Sequence, residues 1–422
     1  MKYAVVTFGC RVNQADSLGI EDRLRARGGI DAPPGEADLV VVNTCSVTAS
    51  ADQSARQVIR RLARANPQAR VVVTGCYATR RPAELAALPN VIRVVANDHK
   101  DELVGSLDFT EFTTAERYGD GDGPCGAHLQ PGVAGRTALT LRVQTGCDEA
   151  CSYCVIPSTR GIGRSRPLAG VLDDVRRATD AGYKEIAITG VHLGSYGRDL
   201  GDGTTFDRLV EALAGSPGDA LFRISSLEPM DCTPELVALV AASPRLAPHF
   251  HLPLQHGSDA VLGAMRRPYS VSFYRDLVER IHARLPDASI GTDIIVGFPG
   301  ETEEDASATL ALLASLPLSH LHVFPYSDRP GTDAAAMSGR PGGAVVRARA
   351  GAVREVGTRL SRTFQERQLG TMRRALTLDD GTRAVTDNFL KLRLPPGWSR
   401  NEWVDVRIGG MAGALEGTPV LY

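Results

Sequence analysis

Apolar residues fall in short runs, with amphipathic stretches between them, along most of the chain. Tyr3 to Phe8, Asp38 to Val42 and Arg70 to Val73 are compact runs rich in valine. Between them, Asp16 to Arg27 sets Ile20 and Leu24 one helical turn apart, and Gln53 to Asn66 groups Val58, Ile59 and Leu62. Continuous apolar runs of this length predict strands buried on both faces. Strand–helix alternation predicts a parallel sheet.

The alternation resumes further on. Ala138–Val143, Glu185–Thr189, Leu221–Ser225, His249–Leu254, Ser289–Val296 and His320–Pro325 read as strands. Val171–Ala181, Phe206–Ala214, Pro234–Ala242, Phe273–Leu285 and Glu304–Leu316 read as helices. Six such βα units predict a partial parallel barrel with its functional groups at the strand C-termini. Ala344 to Leu369 continues as a helix, and short strand-like runs at Ala375–Leu378 and Val404–Ile408 predict a small β-domain. The expected fold class is therefore α/β. The expected division is residues 1–115, a Gly-rich linker at 116–135, a barrel domain at 136–369 and a small C-terminal β-barrel at 370–422.

Composition narrows the class. Of 422 residues, 43% are hydrophobic and 23% charged, which argues against a largely disordered chain. The formal charge is −2, so no global field marks a nucleic-acid partner. The near-neutrality conceals an asymmetry, because Ala344 to Leu369 carries six Arg against two Glu. No uncharged apolar run is long enough for a membrane helix. The N-terminus lacks the apolar stretch and cleavage site of a signal peptide. A cytoplasmic location without membrane association is expected, and there eight cysteines are metal ligands or reactive thiols more readily than disulfides.

Six of the eight form two triplets. Cys10, Cys45 and Cys76 each follow one of the first three strands, 35 and 31 positions apart. Ligands of parallel sheets bind beyond the strand C-termini, so three distant cysteines converge there. A buried cysteine can also pack as a small hydrophobe. Three thiolates can hold zinc with a fourth ligand or an iron–sulfur cube with one iron left open, and spacing alone does not choose. The second triplet, Cys147, Cys151 and Cys154, has C-x3-C-x2-C spacing on one loop. That spacing differs from ferredoxin runs and from paired zinc-ribbon motifs, although a structural zinc loop stays open as a reading.

The C-x3-C-x2-C loop, with the aromatic Tyr153 before its last cysteine, resembles the signature of radical S-adenosylmethionine enzymes. The two triplets together resemble one group of them, the methylthiotransferases of the MiaB, RimO and MtaB types. Thr7–Gln14, Val42–Thr48, Thr74–Cys76, Gly146–Pro157, Arg160–Gly161, Ser165–Pro167 and Asp293–Glu301 carry the likeness. Cys10-Arg11-Val12-Asn13-Gln14 and His322 to Thr332 bring it nearest to the MtaB type. His256 departs from the serine usual at that position.

The resemblance implies two [4Fe-4S] clusters, one on each triplet, and S-adenosyl-L-methionine at the open iron of the Cys147–Cys154 cluster. Reductive cleavage of S-adenosylmethionine then gives a 5′-deoxyadenosyl radical that takes hydrogen from the substrate. The other cluster holds the sulfur that is transferred. No general acid or base is demanded. The implied substrate is N6-threonylcarbamoyladenosine beside the anticodon of tRNA, methylthiolated at C2. A reductant such as flavodoxin or ferredoxin is implied as a partner, and the sulfur donor is not specified. The C-terminal β-barrel matches the position of the family's TRAM domain, an RNA-binding module.

The same likeness assigns Tyr153, Gly190, Ser225, Glu228, Gln255 and Gly297 to S-adenosylmethionine binding. Ordinary turn chemistry or structural hydrogen bonding is the alternative for each. Arg160, Arg164 and Arg166 are candidate phosphate contacts, with pairing to carboxylates as the alternative. Cys125 and Cys232 belong to neither triplet and are expected to be incidental. Competing readings are a methylthiotransferase acting on isopentenyladenosine in tRNA or on an Asp of a ribosomal protein, and a non-catalytic iron–sulfur carrier or RNA-binding module.

Overall fold

The computed structural model describes residues 1–107, 131, 137–410 and 415–420. Cys125 and, apart from Pro131, the 116–135 linker lie outside the described residues. The first three predicted strands appear as β1 (Lys2–Thr7), β3 (Leu39–Thr44) and β4 (Arg70–Gly75), with short β2 (Ile30–Asp31) and β5 (Val91–Val95) at the edges. They form one parallel sheet in the order β2-β1-β3-β4-β5. Every residue of β3 is buried, as its unbroken apolar run requires. Helices α1 (Arg11–Ala26) and α2 (Ala49–Ala65) follow β1 and β3. Their buried residues, Ile20 and Leu24 on one and Ala55 and Ile59 on the other, belong to two apolar clusters on the two sides of the sheet.

The second series builds β6 (Leu139–Arg142), β9 (Glu185–Thr189), β10 (Leu221–Ile224), β11 (His249–His251), β12 (Ser289–Val296) and β13 (His320–Pro325), all parallel. The two three-stranded halves meet at β10 and β11 through an isolated Phe222–Leu246 bridge and a Leu227 N–H to His251 C=O bond of 3.0 Å. The expected six-stranded partial barrel is thus present. A hairpin of β7 (Gln144–Thr145) and β8 (Arg164–Ser165) brackets the second cysteine triplet. On β12, Ile290, Ile294 and Val296 join the buried core outside the barrel, so the alternate residues Gly291, Asp293 and Ile295 face its lumen. The Gly343–Gln368 helix packs along β13 and leads into the last domain.

That domain is a closed barrel, β14 (Met372–Leu378), β15 (Arg383–Thr386), β16 (Lys391–Arg393), β18 (Glu416–Pro419) and β17 (Trp403–Gly409). It docks on the strand N-termini of the larger barrel, the end opposite the cysteines. Arg223, 1% exposed, grips Glu185 in a two-pronged pair and donates to the carbonyls of Asp387 (2.9 Å) and Thr386 (3.3 Å). Asn388 donates to Asp287 C=O and Asn401 to Gly182 C=O. Among the described residues no helix is long and apolar enough to cross a membrane.

Candidate active site

Cys10, Cys45 and Cys76 stand where the sheet ends. Cys10 occupies the N-cap of α1, and Cys76 opens the short Cys76–Arg80 helix behind Gly75. Cys45 directly follows β3, four residues before α2. Two of the three cysteines therefore stand at helix starts. Gly9 and Gly75 adopt φ of +93° and +101°. A side chain on Gly9 would strike Cys45, and one on Gly75 would strike the Thr44 backbone, so glycine lets the three loops close together.

The second triplet lies beyond β7. A side chain on Gly146 (φ +74°) would collide with Ile162 C=O, which fixes glycine before Cys147. Cys151 Sγ accepts from Arg267 Nη1 at 3.1 Å, and Cys147 Sγ lies 3.8 Å from His192 Nδ1. Asp231 orients His192 through Nε2 at 2.7 Å.

The two triplets face each other. The Cys76–Arg80 helix packs against the Ile156–Arg160 helix that follows Cys154. Asn97 bridges them, donating to Cys76 Sγ (3.7 Å) and Thr159 C=O (2.8 Å). Two buried clamps lock the arrangement. On one side Asp16, whose side chain is fully buried, receives Lys100 (2.9 Å), Arg160 (3.1 Å) and Arg142. Burial alone would raise its pKa, but Lys100, Arg160 and Arg142 hold the carboxyl well below the usual range. On the other side Arg329 donates to Ser46 C=O at 2.9 and 2.5 Å and to Asp52 at 3.1 Å. Ala49 N–H donates to Ser327 Oγ nearby.

The donor set fits iron–sulfur cubes better than single ions. Tetrahedral zinc with bonds of about 2.3 Å needs its sulfurs about 3.8 Å apart. Neither triplet is among the groups whose three ligand atoms all lie within 4.8 Å. The thiols nonetheless feel one another: Cys45, lifted by burial and then by Cys10 and Cys76, is pushed up to about 11. Cys154, lifted by burial and by Cys151 and Cys147, is pushed up to about 12. Bare thiols there hold their protons, and a cluster supplies the positive charge that releases them. Each triplet also has a buried arginine, Arg160 beside Cys10 and Cys76 and Arg267 beside Cys151.

The other candidate residues meet mixed fates. Arg160 is no phosphate contact, because it is 3% exposed and bonded to Asn13 (2.6 Å) and Asp16. Arg164 is half-exposed and pairs with Asp98, and Arg166 pairs with Asp174. Glu228 pairs with Arg267 and so lies one residue from Cys151. Tyr153 packs against Val261, Met265, Phe298 and Ala334. Ser225 bonds Thr189 within the barrel (3.1 Å), and Gln255, at φ +72°, bridges to Ile294. The Gly190 loop wraps Gln144, whose Oε1 accepts from the Val191 and His192 N–H groups at 2.9 Å each. Gly297 (φ +79°) leaves room for Val346, and its N–H is held by Glu301. His256 is buried against Thr309, Ser258 and Glu301. Cys232 is buried in the barrel core. Sequence reading missed His192, Arg267, Asp16 and Arg329. His192 stood two residues from the candidate Gly190, but nothing in the chain linked the other three to the cysteines.

Residues 2–97 match the model of a family described as "Uncharacterized protein family UPF0004", and residues 141–313 match the Radical SAM superfamily. Threonylcarbamoyladenosine tRNA methylthiotransferase MtaB of Bacillus subtilis is 38% identical over 78% of this chain and 74% of its own. That of Aquifex aeolicus is 36% identical over 93% of this chain and 96% of its own. The chain belongs to the radical S-adenosylmethionine methylthiotransferases. A tRNA-2-methylthio-N(6)-dimethylallyladenosine synthase of Nitratidesulfovibrio vulgaris is 37% identical over 79% of this methylthiotransferase and 76% of its own chain. The fold also matches a solved radical S-adenosylmethionine methyltransferase, TsrM from Kitasatospora setae, with TM-score 0.56 at 17% identity over 79% of this chain and 77% of that one.

Proposed function

We propose that this methylthiotransferase installs a methylthio group at C2 of N6-threonylcarbamoyladenosine in tRNA. The observation that carries the reading is the pair of cysteine triplets, contributed by two domains whose Cys76–Arg80 and Ile156–Arg160 helices pack together. The near end-to-end match to an MtaB relative supports it. A lone electron carrier has no use for a barrel lumen beside a second cysteine-bearing domain. A tRNA substrate also supports a cytoplasmic location.

Cys10, Cys45 and Cys76 would hold one [4Fe-4S] cluster, and Cys147, Cys151 and Cys154 the other. When bound, these groups supply one-electron reduction of S-adenosylmethionine at the second site and sulfur carriage at the first. The chain's residues do the positioning. Arg267 donates to Cys151 and carries Glu228 with it. Asp231 and His192 steady Cys147. The Asp16 and Arg329 clamps keep the two sites in register and exclude water from the contact.

Nucleoside mass spectrometry of tRNA from a strain lacking the protein tests the reading. The 2-methylthio form of N6-threonylcarbamoyladenosine should vanish and return on complementation. Its persistence would overturn the proposal. Anaerobically purified protein should carry about eight irons per chain, the content of two four-iron clusters.

A further inference from the structure

The lumen of the barrel holds a column of rings that the chemistry above does not use. At the bottom, Phe389 of the C-terminal barrel packs at a tilt against His249 (4.7 Å between centroids) and His320 (6.5 Å), with Arg223 over its ring (5.1 Å). His249 and Arg223 are buried, Phe389 and His320 are half-buried, and together they close the lumen from below. Gly291 leaves the space that His320 fills, since a Cβ there would lie 2.0 Å from its Nε2. Above them the lumen opens. His251 and His322 both hydrogen-bond to Asp293 Oδ1, at 3.1 and 3.0 Å. The His322 side chain is 56% exposed although it lies in a strand, and Phe324, two residues on, is 43% exposed. Leu321 and Val323 on the other face of β13 pack into the core, so the exposed face is the inner one. Arg11, next to Cys10, bears electrostatically on His322 from the N-terminal domain.

An open aromatic surface beside a histidine–carboxylate pair, under the first cysteine site, is a receptor for a flat base carrying a polar arm. Phe324 offers a stacking face. Each imidazole spends one ring nitrogen on Asp293, and the carboxylate fixes the His322 ring with its other nitrogen free to turn to the lumen. The hydrogen bond to Asp293 favours the charged form of His322, and Arg11 adds positive charge across from it. An apolar isopentenyl arm gains nothing from these groups, whereas an anionic arm can take a charge-assisted hydrogen bond from His322.

We propose that His322, oriented by Asp293 and His251, is the specificity-determining residue that receives the anionic threonyl arm of the modified adenosine, with Phe324 beneath the base. The inference rests on the function proposed above and names the residues that select its substrate.

The test compares binding of three anticodon stem-loop RNAs to the cluster-loaded full chain. They carry N6-threonylcarbamoyladenosine, N6-isopentenyladenosine or unmodified adenosine. The His322→Leu variant should lose about tenfold or more of the preference for the threonylcarbamoylated loop over the unmodified one, the worth of one charge-assisted hydrogen bond. His322→Gln, which keeps the shape and one N–H donor, should lose less, and it serves if the leucine variant fails to melt cooperatively. A preference ratio that stays within twofold in the variants, while the parent methylthiolates the threonylcarbamoylated RNA, overturns this inference alone. A parent that methylthiolates only the isopentenylated RNA overturns the proposed function and this inference together.

Discussion

The two cysteine sites carry the same three thiols but are built in different ways. Cys147, Cys151 and Cys154 share one loop, fixed by the β7–β8 hairpin and by Arg267 and His192 from the same barrel. Cys10, Cys45 and Cys76 come from three strand ends that meet only when the whole sheet forms. The buried arginine beside that first site, Arg160, is supplied by the barrel domain, six residues after Cys154. The local site is complete within its own domain, whereas the distributed site is complete only when the two domains dock. Assembly of the first site therefore reports that the barrel is in place.

The comparison is broken most severely at the ligands. Cys151→Ala should abolish both S-adenosylmethionine cleavage and methylthiolation, read as 5′-deoxyadenosine and modified nucleoside. Cys45→Ala should abolish methylthiolation alone and halve the iron content. Equal loss of cleavage in both would mean that the first site supports the second. Next in size is Asp16→Asn, which leaves Lys100, Arg142 and Arg160 around a neutral amide. Removing one partner of a buried ionic hub costs about 3–5 kcal/mol. The folded-state pKa of Asp16 is depressed, so its contribution is present above the unfolded value of about 4 and is lost as pH falls below it. The melting-temperature gap between parent and variant should be full at neutral pH and close only in acid. A gap independent of pH down to the acid limit would refute the ionic account.

Much of this architecture is legible in the chain. The strands at Glu185–Thr189, Ser289–Val296 and His320–Pro325 match the expected runs to the residue, because each is a solid apolar or alternating block bounded by turn formers. Helix α1 starts at Arg11, five residues earlier than its apolar pattern suggests, because Cys10 itself takes the N-cap. The edge strand β2 and the strands of the β7–β8 hairpin escape because they are two residues long and largely polar, and β5, a largely apolar run of five, escapes as well. The six cysteines announce themselves by type and position, but what surrounds them does not. Asp16, Arg160 and Arg329 act across a domain contact, and hydrophobic periodicity says nothing about which charge meets which across 144 or 277 positions. Arg160 reads as a surface cation in the chain and is a buried one in the fold for that reason.

The smaller predictions sharpen the comparison from the distributed side. Arg329 grips Ser46 C=O and Asp52 with a planar fork that lysine cannot reproduce. Arg329→Lys should cost about 1–3 kcal/mol, the penalty for leaving buried groups unpaired. It should also raise the amount of 5′-deoxyadenosine formed per methylthiolated nucleoside, since cleavage belongs to the intact local site and transfer needs both. An unchanged ratio would show that the Asp16 clamp alone sets the register.

The smallest effect is the most discriminating. Thr48 and Thr205 each cap a helix by accepting a backbone N–H, at 3.2 Å from Ala51 and 3.3 Å from Arg208. Replacing either by alanine should cost about 1 kcal/mol in chemical denaturation. The two caps differ in what they anchor. Thr48 holds the start of α2, three residues beyond Cys45, while Thr205 holds a helix on the flank of the barrel. If the first site depends on strand ends held by the fold, Thr48→Ala should lower its cluster occupancy on reconstitution and Thr205→Ala should not, at matched loss of stability. Equal occupancy in the two variants would mean that the thiols hold their cluster without help from the helix behind them.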